Sequence, residues 1–265
     1  MYTSFQLAIK YLQYYCSASN GRGHGIHSPF VFDFVKQVLN DKKEYSAYEP
    51  IENIRRELLR DNSSIEVEDF GAGSAVIKTN TRVVSKVAAS SLKPRKYAQL
   101  LFRIVQYYKP GTIVELGTSF GTTTAYLASG NPGANVYTLE GATEVAAIAR
   151  KNFDKCGLKN IHLSPGNFDK TLPQLLANIA KPDLVYIDGN HRREPTLWYF
   201  EQFLQHAHPS TIFIFDDIHW SKDMEAAWIT ICSHPQVTLS IDLFFIGLVF
   251  INPDFKVKQE FQIRY

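Results

Sequence analysis

The stretch TIVELGTSFGTTTAYLA, residues 112–128, decides the fold. An apolar run of strand length, Thr112 to Leu116, enters a turn with glycines at 117 and 121, and a helix is expected to begin near Thr122. In an open α/β sheet, ligands lie beyond the carboxyl ends of the strands, and glycines there let the backbone approach them.

From Gly111 onward the same rhythm repeats. TIVEL precedes TTAYLA, NVYTLE precedes EVAAIARKNF, and NIHLS precedes KTLPQLLANI; then DLVYID precedes TLWYFEQFLQH, and TIFIFDD precedes DMEAAWITICS. Strand-helix alternation of this kind argues for a mostly parallel sheet with helices on both faces. The final VTLSIDLFFIGLVFI holds two strand-like runs with no helix between them, so a closing antiparallel strand is expected. The expected fold class is therefore α/β, a doubly wound, mostly parallel seven-stranded sheet. Before residue 109 the spacing is helical, in Phe5, Ile9, Leu12, in Phe32, Val35, Leu39, in Ile51, Ile54, Leu58, and again from Val83 and from Leu100. Only Ile65 to Phe70 reads as extended. The expected division is a helical N-terminal lobe, residues 1–92, and a Rossmann-like domain, residues 93–265.

A second glycine loop, VEDFGAGSAV at residues 67–76, competes for the role of cofactor loop. A nucleoside site also needs an acid roughly 20 residues on, at the end of the next strand, to accept hydrogen bonds from ribose hydroxyls. After GAGS no acid occurs until Glu115, and a pair of basic helices is expected there instead of a strand. The loop at Gly117 has its acid, because NVYTLE ends in Glu140. Its turn reads GTSFG, not GxGxxG, so the third glycine of a dinucleotide site is missing and NAD is disfavoured. Glycines alone also suit a structural turn; Glu140 favours the nucleoside ligand.

Composition is that of an ordinary globule: 265 residues, 45% apolar and 20% charged, with a formal charge of +2. The charge is uneven, since eight Lys or Arg and no acid lie between Phe70 and Val114. That segment permits an anionic partner, although a solvated helix face is the usual fate of such residues. Three scattered cysteines without CxxC spacing suggest neither disulfide framework nor zinc knuckle. The N-terminal MYTSFQLAIKYLQYY is too polar for a signal peptide, and no apolar run reaches the roughly 18 residues of a membrane span. A soluble cytoplasmic protein with no membrane partner is expected.

ELGTSFGTTTAYLA, the Glu140 of TLEG, GNFDKTLP, and YIDGNH followed by IFDD together resemble class I S-adenosylmethionine-dependent methyltransferases. The likeness is to small-molecule O-methyltransferases of the catechol, macrolide and cephamycin types, over about residues 95–265. It implies that Gly117, Thr118, Ser119 and Thr123 line the methionine end of the cofactor, Glu140 its ribose, and Asn167 with Phe168 its adenine. Glu115, Gly121, Gly141 and Asp188 complete the implied cofactor surroundings.

Asp188 ends the strand LVYI, and Asp216 with Asp217 ends TIFIF. The strand order expected for this fold brings the three carboxylates to one rim, where repulsion is relieved by protonation, hydrogen bonds or a cation. Oxygen-only donors favour Mg²⁺, with Ca²⁺ or Mn²⁺ as alternatives. Taken singly, each Asp also suits a helix cap. The resemblance puts all three at metal-ligand positions of the cation-dependent members, and puts His191, expected in the first turn of the next helix, where a general base lies. His24 and His27 have HxxH spacing but read as a turn before a helix starting at Ser28-Pro29. The expected activity is metal-assisted O-methylation of a small hydroxylated molecule, with His191 and Asp188 as the catalytic pair. A nucleic-acid methyltransferase and a non-catalytic S-adenosylmethionine-binding protein are the competing readings. The acceptor is not legible, and a homo-oligomer is left open.

Overall fold

The computed structural model describes residues 1–69 and 78–265, which divide into two compact units: residues 1–41 with 181–265, and residues 42–180. The chain opens in the first unit with α1 (Ser4–Ser17) and α2 (Pro29–Phe34), which runs into a π-helical turn at Val35–Leu39. Thr3 starts α1 through a reciprocal capping box with Gln6, and Pro29 starts α2 where its missing N–H costs nothing.

The second unit follows with α3 (Tyr48–Leu58), β1 (Ser64–Asp69), β2 (Lys78–Val83), α4 (Val84–Ser91) and α5 (Arg95–Tyr108). It continues through β3 (Thr112–Leu116), α6 (Thr122–Gly130), β4 (Asn135–Glu140), α7 (Thr143–Lys155), β5 (Ile161–Pro165) and α8 (Phe168–Leu176). Strand β4 pairs in parallel with both β3 and β5, with Ile113 opposite Val136 and Glu140 opposite Pro165. The carboxyl ends of three neighbouring strands thus lie along one edge, the edge where α/β sheets bind ligands.

Strand β1 pairs antiparallel with β2, Ile65 opposite Arg82, so a strand does follow the loop, ahead of the two expected helices, which are present as α4 and α5. KTNTRV escapes a hydrophobic-pattern reading because it alternates no apolar residues. GAGS, residues 71–74, lies outside the described residues. The strands on either side of it are nonetheless antiparallel partners, whereas a nucleotide loop follows a strand and opens a helix.

The first unit resumes with β6 (Leu184–Ile187), α9 (Arg193–Gln205), β7 (Ile212–Asp216), α10 (Lys222–Ser233), β8 (Leu239–Asp242), β9 (Ile246–Phe250) and β10 (Gln259–Gln262). Its strand order is β10-β8-β9-β7-β6. Strand β9 runs antiparallel to both β7 and β8, as the two helix-free terminal runs lead one to expect. The four-residue β10, parallel to β8, is a further strand that the hydrophobic pattern does not announce.

Each unit has its own core. In residues 42–180, Phe120 of the glycine turn is buried among Ile54, Leu58, Ile65, Val84, Ala88, Ala142 and Val145, so α3, α4 and the hairpin clamp the turn against α7. In the other unit, Tyr14 of α1 and Ala18 just past its end pack on Phe244, and the Tyr14 hydroxyl donates to the Asp242 carbonyl at 3.0 Å. No helix among the described residues is long and apolar enough to cross a membrane.

Candidate active site

The turn after β3 is built from backbone conformations that its sequence makes available. Gly117 (φ 100°) and Gly121 (φ 81°) occupy the left-handed region, which a residue without a Cβ enters at no steric cost, and Ser119 joins them at φ 49°. Both Gly117 and Thr118 donate their N–H to the Leu139 carbonyl, at 3.0 and 3.2 Å, which seats the turn on the end of β4. Gly121 caps α6 and leaves no room for a side chain, because a Cβ there would run into the Phe153 ring.

Glu140 completes the construction. Its carboxylate accepts the Ser119 N–H at 2.7 Å with one oxygen and the Ala142 N–H at 3.0 Å with the other. Burial pushes its pKa up, against the backbone hydrogen bonds from Ala142, Ser119 and Gly141, and the net direction is upward. With three backbone donors on four lone pairs, the carboxylate keeps a lone pair for an incoming hydroxyl. Gly117, Ser119, Glu140, Gly141, Asn167 and Phe168 are all half-buried, so they can meet a ligand at these strand ends. Asn167 caps α8 by accepting the Asp169 N–H at 2.8 Å, and the Glu140 carbonyl accepts the N–H of Gly166 at 2.8 Å.

Other expected residues lie beneath this surface. Glu115 is fully buried; one carboxylate oxygen accepts the hydroxyls of Thr124 and Thr138, the latter at 2.6 Å, while Oε1 is buried without a hydrogen bond. Burial pushes its pKa up to about 7 despite the two hydroxyls. Thr118 is bonded to Thr138 inside the same cluster, and Thr123 is buried on α6. These side chains brace the turn from below, and sequence spacing alone does not distinguish them from its exposed rim.

Two contributors carry no motif. The Asn152 amide of α7 donates to the Phe120 carbonyl at 2.9 Å, and the Ser91 hydroxyl of α4 lies 3.0 Å from that of Ser119. Only a helical face pointing toward the turn hints at the first. Nothing in VSKVAASS marks the second.

The remaining candidates belong to the unit of residues 181–265. Asp188 follows β6; its Oδ2 accepts the Tyr186 hydroxyl at 3.0 Å, and its Oδ1 lies 3.4 Å from His191 Nε2. His191 is not in a first helical turn, because α9 begins only at Arg193. Instead Asn190 and His191 hold left-handed conformations, φ 69° and 34°. Asp216 is a buried residue of β7, whereas Asp217 has left the strand at φ 53° and donates its N–H to the Phe245 carbonyl at 2.7 Å. Helix α10 is capped by Ser221, not by Asp217. Among the described residues, no three His, Cys, Asp or Glu side chains gather closely enough to hold a metal ion. The donor types of Asp188, Asp216 and Asp217 suit a hard cation, but this arrangement does not assemble the trio, and His24 and His27 form no such cluster either.

Residues 114–218 match the family described as a methyltransferase domain. Among solved structures, the chain is similar to the O-methyltransferase from Bacillus cereus, at 22% identity and TM-score 0.56 over 83% of this chain and 97% of that one. It is also similar to TomG from Streptomyces achromogenes (17%, TM-score 0.57, 79% and 91%) and to PaMTH1 from Podospora anserina (16%, TM-score 0.59, 85% and 97%). At these identities the likeness establishes the fold. No curated protein matches the chain. The matched segment runs from within β3 to just past β7, on a mixed α/β fold with a central, mostly parallel sheet.

Proposed function

We propose that the protein transfers a methyl group from S-adenosylmethionine to an oxygen of a small hydroxylated molecule. The observation that carries this reading is Glu140, held by Ser119 and Ala142 at the end of β4 with a lone pair left for a ribose hydroxyl. The Bacillus cereus and Podospora anserina structures are of S-adenosylhomocysteine-bound proteins, and that of TomG contains S-adenosylmethionine, which supports the same cofactor here.

When bound, the cofactor supplies an electrophilic methyl on a cationic sulfur. Glu140 binds its ribose, Asn167 and Phe168 meet the adenine, and the backbone of Gly117 to Ser119 receives the methionine end. Attack by an oxygen anion on a sulfonium methyl annihilates charge, so the protein gains most by preparing and aligning the nucleophile. His191 is assigned that task. With Nε2 turned to Asp188, Nδ1 is left to accept the hydroxyl proton, and Asp188 stabilises the imidazolium that forms. Metal assistance through Asp188, Asp216 and Asp217 is a separate proposition that the present arrangement of those side chains does not carry. A nucleic-acid acceptor gains little support from the basic segment: Lys93 and Arg103 are buried, and Arg95 pairs with Glu44.

The deciding experiment measures S-adenosylhomocysteine binding by calorimetry and its release from S-adenosylmethionine across a panel of phenols and hydroxylated small molecules. Binding with turnover on at least one member is the expected result. Binding without turnover would favour a non-catalytic binding protein, and salt-sensitive turnover on RNA or DNA a nucleic-acid enzyme.

A further inference from the structure

Between β6 and α9 two consecutive non-glycine residues, Asn190 and His191, hold left-handed conformations, φ 69° and 34°. L-residues seldom adopt this region, and a pair in it persists where surrounding contacts over-determine the backbone. Here those contacts run through the side chain of Asn190. Its amide nitrogen donates to the Tyr199 hydroxyl at 3.2 Å, and its carbonyl oxygen accepts the Arg192 guanidinium, from Nε at 2.8 Å and from Nη2 as well. Asn190 and Arg192 flank His191 in the chain, so the bridge between them closes a ring around its backbone. Tyr199, buried on α9, anchors that ring.

The ring fixes where the imidazole goes. Nε2 of His191 lies 3.4 Å from Asp188 Oδ1, and the other oxygen of Asp188 accepts the Tyr186 hydroxyl at 3.0 Å. Each member of the pair is thus held by a buried tyrosine, Asp188 directly by Tyr186 of β6 and His191 through Asn190 by Tyr199 of α9. An asparagine suits the second task because its amide donates on one side and accepts on the other, meeting a hydroxyl oxygen and a guanidinium together. Asn190 is itself exposed, so packing does not account for its place. A plain turn would need only tolerance of φ; the clasp needs the amide.

We propose that Asn190 is a positioning residue, which holds His191 in the left-handed bend so that the ring stays against Asp188 and Nδ1 is left for the acceptor proton. This rests on the reading of His191 as the base. A general base acts within hydrogen-bond reach of the proton it removes, and a misplacement of about 1 Å costs on the order of 100-fold in rate. Loss of the clasp therefore falls on kcat and not on cofactor binding.

Asn190→Gly keeps the bend accessible, since glycine enters φ 69° freely, but removes the clasp. It should lower kcat about 10-fold or more, with the acceptor KM and the S-adenosylhomocysteine affinity changed by less than about twofold. Asn190→Asp should stay within about threefold of the wild type, because a carboxylate accepts from both Arg192 and the rotatable Tyr199 hydroxyl. Independently of turnover, nitrogen NMR spectra of the imidazoles in mildly alkaline buffer should show His191, assigned by its loss in His191→Ala, as one tautomer with the proton on Nε2. In Asn190→Gly the two tautomers should average. Unchanged kcat in Asn190→Gly beside a large loss in His191→Ala would overturn the proposal. So would equal losses in Asn190→Gly and Asn190→Asp, which would make Asn190 a plain turn residue, or a loss confined to KM. Unchanged kcat in His191→Ala, or no turnover at all, would remove the base reading, and the ring spectra then decide the clasp alone: identical spectra for wild type and Asn190→Gly overturn it.

Discussion

The carboxylate of Glu140 accepts the backbone N–H of Ser119 at 2.7 Å, across twenty-one residues of chain, and so ties the end of β4 to the turn after β3. The residue assigned to the ribose therefore also sets the shape of the loop that receives the rest of the cofactor.

This double duty makes Glu140→Gln a severe change. Two backbone donors, from Ser119 and Ala142, need two acceptor oxygens, and an amide supplies one while turning its own N–H toward the other donor. S-adenosylhomocysteine affinity should fall about 10- to 100-fold, the worth of one charge-assisted hydrogen bond, with the fold intact by circular dichroism. In the wild type, binding needs the carboxylate form. Because burial raises the Glu140 pKa, affinity measured by calorimetry should decline on acidification at a higher pH than for an ordinary glutamate. Unchanged affinity in Glu140→Gln would remove the ribose assignment.

Gly121→Ala should destabilise the protein by about 2 kcal/mol or more, since alanine at φ 81° is strained and its Cβ would meet the Phe153 ring. Adding Phe153→Leu should recover the steric part and leave the backbone strain, which two-state denaturant titrations of the three proteins would resolve. Full recovery in the double variant would show that φ at this position costs nothing.

The strands of the central sheet were legible because each is a short apolar run followed by a helical period, and TIVEL, NVYTLE and TIFIF appear as β3, β4 and β7 with little change of boundary. The elements that escaped are polar or bent: QEFQ of β10 buries little, KTNTRV of β2 alternates nothing, and the π-helical turn at Val35–Leu39 keeps the apolar spacing of an α-helix. Glu140 was legible because its role depends on its place at a strand end. The expected gathering of Asp188, Asp216 and Asp217 at one rim is absent among the described residues, since adjacent strand residues face opposite ways and the left-handed φ of Asp217 redirects it after β7. Position along a strand predicts the rim; it does not predict the side-chain direction.

For the proposed base, His191→Ala should lower kcat by a factor of about 100 or more while S-adenosylhomocysteine affinity changes little. Asp188→Asn should lower kcat less, by loosening the ring whose Nε2 faces it at 3.4 Å. Equal losses in affinity and kcat for His191→Ala would assign it to folding or binding. In parallel, turnover should persist in excess chelator. Loss of turnover in chelator, restored by Mg²⁺ and absent from Asp217→Ala, would show that ligand binding gathers the three acids after all.

Glu115 should leave a pH signature in stability, not in catalysis. Its carboxyl is fully buried, with Oε1 lacking a hydrogen bond, and its pKa is pushed from the ordinary 4.5 up to about 7. The folded value lies above the unfolded one, so the fold prefers the uncharged form. The stabilisation is complete below 4.5 and is lost as pH rises toward and through about 7. Glu115→Gln is uncharged at every pH and its carbonyl can still accept the hydroxyls of Thr124 and Thr138. Denaturant titrations should therefore show the variant gaining on the wild type by about 3 kcal/mol between pH 4.5 and 8, with most of the change below pH 7. A stability difference independent of pH would mean that Glu115 is solvated or paired in solution, and that the threonine cluster does not hold it in a dry site.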